Sequence, residues 1–208
     1  MDINFFDLDI TLLPSGSLYV KNENTLILSD LHLGKGVLLQ ESGAPLLKQI
    51  DQKTVNKLIN DLTLCQPKQC IVCGDLIHGM SRRMIPQIQW FEDQLRPFNT
   101  SFIITLGNHD SQLLSNVMSL FRCVDTFQVG SVICSHYEHD TIPSISGHVH
   151  PGIKLKKGRI TKYFKAFAVG KSTIICPSYG EFTGAYTKLP ADYEFYLLDG
   201  QGIQKYAR

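Results

Sequence analysis

The chain has 208 residues, 20 Lys+Arg against 19 Asp+Glu, a formal net charge of +1, 43% hydrophobic residues and 19% charged ones. That length buries a sizeable core without staples, and one large domain over residues 1–208 is expected. The balanced global charge advertises no nucleic-acid partner.

The opening Met1-Asp-Ile-Asn-Phe-Phe6 is not a basic, apolar leader, and no apolar run approaches a membrane span. Cys65, Cys70, Cys73, Cys123, Cys134 and Cys176 are scattered, three of them inside strand-like runs, as buried thiols of a reducing compartment are. The expectation is a cytoplasmic protein without membrane association.

Residues 3 to 28 read as antiparallel strands. Phe5 to Ile10 alternates loosely, Pro14-Ser-Gly16 turns, Leu18-Tyr-Val20 is short, and Asn22-Glu-Asn24 turns into Leu26-Ile-Leu28. A loop holding Gly43 and Pro45 precedes a helix in which Asp51 is the expected N-cap and Val55, Leu58, Ile59 and Leu62 repeat at helical spacing. Gln69 to Cys73 is the next strand, and a helix with Ile88, Phe91 and Leu95 on one face ends before Pro97. Ser101 to Leu106 is a strand, and a short helix is expected around Leu113 to Met118. Strands follow near Phe127–Val129, Val132–Ser135, Lys154–Val169, Thr173–Cys176, Tyr193–Leu198 and Ile203–Tyr206. Early βαβ alternation with later hairpins predicts an α/β fold with mixed sheets.

Leu26 to Leu28 run into Asp30 and His32, and residues two apart in a strand share a side, so the carboxylate and the imidazole are expected to converge beyond the sheet edge. Such a pair suits Mn, Fe or Zn. Cys70-x-x-Cys73 has no answering pair, and residues three apart in a strand face opposite sides, so it is discounted as a metal or redox motif. Asp75, Asn108 with His109, His136, and His148 with His150 also follow apolar strands or glycine turns. Each histidine alone reads as a turn cap. Five such loops predict one meeting point at the carboxyl ends of strands, with Gly74, Gly107 and Gly147 letting backbone approach a crowded centre. Oxygen donors and imidazoles without cysteine fit a two-metal hydrolytic centre better than a structural zinc site.

In order and spacing, Ser29-Asp-Leu-His32, Gly74-Asp75, Gly107-Asn-His-Asp110, His136 and Gly147-His-Val-His150 resemble the five blocks of the calcineurin-like metallophosphoesterases, over residues 26 to 152. Ser29 to Lys35, Gly74 to His78 and the tail Cys176 to Gly184 resemble, more narrowly, the bacterial DNA-ligase-associated phosphoesterases. The resemblance implies a sandwich of two mixed sheets flanked by helices. It implies that Asp30, His32 and His150 bind one metal ion, that Asn108, His136 and His148 bind a second, and that Asp75 bridges them. Two divalent ions, Mn2+ first with Fe or Zn as alternatives, would clamp the phosphate oxygens and hold a bridging hydroxide for in-line attack on phosphorus. His109 is left without a metal, as the group that stabilises phosphoryl oxygens or protonates the leaving oxygen, with Asp110 as its orienting partner. His139 lies three residues beyond His136 but suits the ligand role less well. His78 reads as a residue behind the ligands, facing substrate, or in a plain turn, and Lys35 as a substrate contact.

Between Pro151 and Cys176 stand Lys154, Lys156, Lys157, Arg159, Lys162, Lys165 and Lys171 with no Asp or Glu, interleaved with Tyr163, Phe164 and Phe167. This stretch follows the last ligands. Lys156, Lys157 and Arg159 are therefore candidate phosphate contacts on a basic, aromatic rim, the alternative being a solvated strand face. The expected function is a phosphodiesterase, an endonuclease on single-stranded or nicked DNA in repair, associated by resemblance with a DNA ligase and helicase. The alternatives are a phosphodiesterase or phosphatase of small nucleotides, and a non-catalytic protein-binding scaffold, which the filled ligand positions argue against.

Overall fold

A computed structural model of the chain describes residues 1–35, 48–78, 85–110, 120–181, 183–200 and 202–206. The apolar runs of the first half become β1 (Asp2–Phe5), β2 (Leu8–Leu12), β3 (Leu18–Val20), β4 (Thr25–Leu28), β5 (Gln69–Cys73), β6 (Ser101–Thr105) and β7 (Arg122–Val124). They form one sheet in chain order, antiparallel from β1 to β4 and parallel from β4 to β7. Parallel neighbours need long crossovers, and α1 (Lys48–Cys65) and α2 (Ile85–Leu95) lie in the first two.

A second sheet holds β8 (Thr126–Val129), β9 (Val132–Ser135), β10 (Ser144–Ser146), β11 (Gly152–Lys157), β12 (Ile160–Val169), β13 (Thr173–Ile175), β14 (Glu194–Leu198) and β15 (Ile203–Tyr206). Its order is β15-β14-β12-β13-β10-β9-β8, with β11 paired to β12 alone. β9, β10 and β13 are parallel and the other pairs antiparallel. The fold is α/β, two mixed sheets packed face to face.

Strand alternation sorts the side chains into three apolar layers. Ile27, Ile71, Cys73 and Ile103 of the first sheet meet Cys134, Ile145, Phe167, Ile174 and Tyr196 of the second. On the other face of the first sheet Leu26, Leu28, Cys70, Val72 and Ile104 pack against Val55, Leu58 and Leu62 of α1 and Ile88, Phe91 and Leu95 of α2. Each fully buried side chain of this kind contributes about 1.5–3 kcal/mol. Ala166, Ala168, Ile175, Phe195 and Leu197 form a third layer on the outer face of the second sheet. Among the described residues, the helices cover the first sheet only. Cys70 and Cys73 point into different layers, so the two thiols do not form a pair.

Three local readings change. Phe5 to Ile10 is broken by a turn in which Phe6 takes φ +53°, so Phe5 pairs with Leu8 across a hairpin. α1 begins at Lys48, one turn earlier than expected, and Asp51 is not its N-cap. Its carboxylate instead accepts a hydrogen bond from the Gly34 amide at 2.9 Å, tying the helix to the loop after β4. β7 was not expected, being three residues long and half-exposed. The loop with Gly43 and Pro45 and the helix around Leu113 to Met118 lie outside the described residues. Among the described residues no helix is long and apolar enough to cross a membrane.

Candidate metal centre

The loops after β4, β5, β6, β9 and β10 meet at one end of the sandwich. Asp30 and His32 do converge, but not as strand neighbours, because β4 ends at Leu28. Asp30 takes φ +52° and His32 φ +49°, and the same left-handed conformation recurs at Asp75, His148 and His150. Left-handed backbone costs an L-residue roughly 1–2 kcal/mol, and Asp and His are among the side chains that tolerate it best. The neighbouring loops hold these residues there. Asp30 N donates to Gly74 O at 3.1 Å, His32 N to Asp75 O at 3.0 Å and Leu33 N to Leu76 O at 2.9 Å. His148 N donates to the Asp30 carboxylate at 3.0 Å. A Cβ on Gly74 would overlap the His136 ring, one on Gly107 would overlap the Asp75 carboxylate, and one on Gly147 would stand 2.5 Å from Asp30 Oδ2.

The donor atoms gather in two sets. In the first, His150 Nε2 lies 3.2 Å from Asp30 Oδ1 and 3.4 Å from His32 Nε2. In the second, His136 Nε2 lies 3.0 Å from Asn108 Oδ1 and 3.1 Å from His148 Nδ1. Asp75 sits between them, Oδ2 at 3.9 Å from His32 Nε2 and Oδ1 at 3.7 Å from His136 Nε2. His136 Nδ1 lies 3.3 Å from Cys73 O, an acceptor that suits the tautomer protonated at Nδ1, and that tautomer leaves the Nε2 lone pair toward the set. Carboxylate and amide oxygens with imidazole nitrogens, converging without a thiolate, are the donor set that hard and borderline divalent ions take, and the residues fit such ions on that ground. Asp30 with His32 and His150, and Asp30 with Asp75 and His136, each bring their ligand atoms within 4.8 Å of one another and can hold a metal ion.

Burial shapes the electrostatics. Desolvation pushes His32 down to about 3 and lowers His148, which keeps both imidazoles neutral and able to ligate. Desolvation opposes ionisation of Asp30 as well, yet the hydrogen bond and charge of His150 hold its carboxyl below the ordinary range.

The remaining candidates divide. His109 is half-buried, with Nε2 4.0 Å from Asp75 Oδ2 and its ring stacked on His78 at 5.1 Å between centroids. His78 Nδ1 lies 3.3 Å from His32 Nδ1, behind the nitrogen that faces Asp75, and His32, His78 and His109 form a third group able to hold a metal. Asp110, expected to orient His109, has its carboxylate turned to backbone amides. Its buried carboxylate accepts from the amides of Gly107 at 3.1 Å and of Leu76 and Ile77 at 3.3 Å, stapling the β5 and β6 loops. Burial pushes Asp110 up to about 6 against the pull of those amides. His139 joins none of these groups. Lys35 is half-buried, its charge felt by His78 and by Lys165.

A strap from Cys176 to Gly180 backs the first loop. Tyr179 N donates to Ser29 O at 2.9 Å, Gly180 N to Asp30 O at 3.0 Å, and Ser178 Oγ to Asp30 O at 3.1 Å. Two lysines grip the strap from outside. Lys165 Nζ donates to Ser178 O at 2.7 Å and to Gly180 O, and Lys57 Nζ donates to Tyr179 O at 2.6 Å. Tyr179 OH and Ser17 Oγ both donate to the buried Asp61. Lys57 and Asp61 carry no sequence signal beyond two charges four apart on a helix, and their role was not anticipated.

The basic stretch is a hairpin rather than one rim. Opposite residues of an antiparallel pair share a face. Lys154 with Tyr163, Lys156 with Thr161 and Gly152 with Lys165 lie on one face; Ile153 with Phe164, Leu155 with Lys162 and Lys157 with Ile160 lie on the other. The first face is on the side of Lys165, whose ammonium reaches the strap behind Asp30, and there Lys154 Nζ stands 5.7 Å from the Tyr163 ring centroid. Lys156 therefore faces the metal centre's side and Lys157 faces away, with Arg159 in the turn. At ~3.3 Å per residue, Lys157 is roughly 20 Å along the strand from His150.

The family model for calcineurin-like phosphoesterases matches residues 24–178. The chain belongs to that family, and is a metal-dependent phosphoesterase. No curated protein matches it significantly. The solved structure of the Pseudomonas putida nuclease MPE is similar at a TM-score of 0.80 with 23% identity, over 99% of each chain, a likeness of fold. Yfce, a phosphoesterase from E. coli, aligns at a TM-score of 0.44 with 14% identity, over 88% of this chain and 98% of its own.

Proposed function

We propose that the protein is a two-metal phosphodiesterase that cleaves single-stranded or nicked DNA as an endonuclease, a cytoplasmic single-domain enzyme of DNA repair acting alongside a DNA ligase and helicase. The observation that carries this reading is the division of donor atoms into two sets with one Asp75 oxygen toward each. Asp30, His32 and His150 would hold one ion, and Asn108, His136 and His148 the other. Two such ions, Mn2+ first by the oxygen and imidazole donors, supply Lewis acidity toward phosphoryl oxygens and a nucleophile at neutral pH.

The chain's own groups do the rest. His109 is exposed enough to meet substrate and lies at the edge of the cluster, so it presents a proton to the oxygen leaving phosphorus. His78 packs against His109 and His32 and fixes both rings. Lys35 adds positive charge on the same side. Lys154, Lys156 and Tyr163 offer phosphate neutralisation and an open ring for base stacking, which hold single strands without sequence preference. The neighbour of similar fold from P. putida is a nuclease, which agrees with a polymeric substrate.

Cleavage of circular single-stranded DNA, titrated with Mn2+ and compared with hydrolysis of small phosphodiesters, tests the reading. Linearisation of the circle at low enzyme concentration is expected. Hydrolysis of small nucleotides with intact circles would return the assignment to a small-molecule phosphodiesterase.

A further inference from the structure

The hairpin face turned away from the metal centre has a different chemistry from the face that looks toward it. Leu155, Lys157, Ile160, Lys162 and Phe164 of that face line an open groove of about 530 Å3, and Lys156, of the opposite face, reaches only its margin. Its floor is Leu155, Ile160 and Phe164, and Ile160 is 64% exposed. Leu155 and Phe164 continue inward to the third apolar layer, on the sheet face that carries no helix among the described residues. The rim is cationic, and among the described residues none of Lys156, Lys157, Arg159 and Lys162 is paired with a carboxylate. No Asp or Glu occurs from Pro151 to Gly180. β11 pairs with no strand but β12, and beyond Gly152, whose amide donates to Tyr186 O at 2.9 Å, its outer edge meets no other strand among the described residues.

We infer that this outer hairpin face docks an extended acidic protein segment, one bulky apolar side chain seated over Leu155, Ile160 and Phe164 and flanking Asp or Glu residues against Lys157 and Lys162. An open strand edge accepts such a segment as an added strand, with main-chain pairing for affinity and alternate side chains for specificity. Nucleic acid fits the face less well. Bases stack on open aromatic rings, and the open ring of this hairpin, Tyr163 at 59% exposure, is on the opposite face with Lys154 and Lys156. The groove floor is mostly aliphatic, and its one aromatic, Phe164, is half-buried in the third layer. The inference does not depend on the metal reading, because no residue of the groove is among the metal candidates.

The test uses the full chain, isotopically labelled for amide NMR, and fluorescein-labelled synthetic dodecapeptides with a central Leu or Phe among Asp and Glu. Controls replace the acids by Lys or the anchor by Ala, and a twelve-nucleotide single strand serves as the nucleic-acid arm. Micromolar binding of the acidic, anchored peptide is expected, with amide shifts confined to Gly152–Phe164. Ile160→Asp and the double variant Lys157→Glu, Lys162→Glu should each weaken it at least tenfold, as should either change in the peptide. Hydrolysis of a nitrophenyl phosphodiester should be unchanged in both variants. Absence of shifts in these amides at millimolar peptide would overturn the inference. So would binding indifferent to Ile160→Asp, or an oligonucleotide that shifts the groove amides where the peptide does not.

Discussion

The backbone amide of His148 donates to the Asp30 carboxylate at 3.0 Å, joining residues 118 apart and locking the last ligand loop onto the first. The bond forms because Gly147 lets the β10 loop approach so closely that a Cβ there would stand 2.5 Å from Asp30 Oδ2. Gly147→Ala should therefore fold but push the carboxylate out of line. Calorimetric titration with Mn2+ should show affinity reduced by about 10–100-fold, the usual cost of disturbing what orients a ligand. Unchanged affinity would mean that Asp30 is positioned by the strap alone.

His109 is a different kind of residue, close to Asp75 but placed in neither donor set. His109→Ala should keep its metal content and lose about 10²–10⁴-fold in rate on DNA. A nitrophenyl ester, whose leaving group needs no proton, should be hydrolysed with a much smaller loss. Equal losses on both substrates would move the role from leaving-group protonation to stabilisation of phosphoryl oxygens.

Lys165 links pH to stability. Burial brings its ammonium down to about 8, below the ordinary 10.5, with Lys57 adding to the effect. Below pH 8 folded and unfolded chains are both charged at this position. Between 8 and 10.5 the unfolded chain binds more protons, so stability rises with pH there and the gain is lost as pH falls back through 8. A neutral amine still has two hydrogens for the carbonyls of Ser178 and Gly180. Urea unfolding of the wild type and Lys165→Met at pH 7.5 and 10 should show the wild type gaining on the order of 2–3 kcal/mol relative to the variant. A difference independent of pH would place the lysine's pKa near its ordinary value.

The two hairpin faces separate in salt. If Lys154 and Lys156 track phosphates, log K for single-stranded DNA falls with log salt by about 0.7 per neutralised phosphate. Charge reversal at those two should flatten the slope, whereas reversal at Lys157 and Lys162 should leave it nearly intact. The opposite ranking would put the strand on the outer face.

Most of the fold was legible because apolar runs bounded by Gly, Pro and Asn mark strand ends, and the strand ends carry the chemistry. The geometry of Asp30 and His32 was not. Alternation along a strand predicts convergence for one reason, and the chain achieves it for another, with left-handed residues at Asp30 and His32 and again at His148 and His150. Local sequence does not specify that conformation; rungs from Gly74, Asp75 and Leu76 impose it. Asp51 misled because an acid before a helical repeat resembles an N-cap, whereas its partner, Gly34, is on another loop. Lys57 and Asp61 were invisible for the same reason, since their partners arrive from the strap, at Tyr179. The division of the lysines between two faces required the register of β11 on β12.

The account turns on Asp75, whose two oxygens face different donor sets. Elemental analysis of the wild type and Asp75→Asn, each saturated with Mn2+ and desalted, measures that arrangement directly, with nitrophenyl phosphodiester hydrolysis followed in parallel. Two equivalents are expected in the wild type, and fewer in the variant together with loss of hydrolysis, because a neutral amide does not offset two dications. Two full equivalents in Asp75→Asn with hydrolysis retained would contradict the two-metal centre.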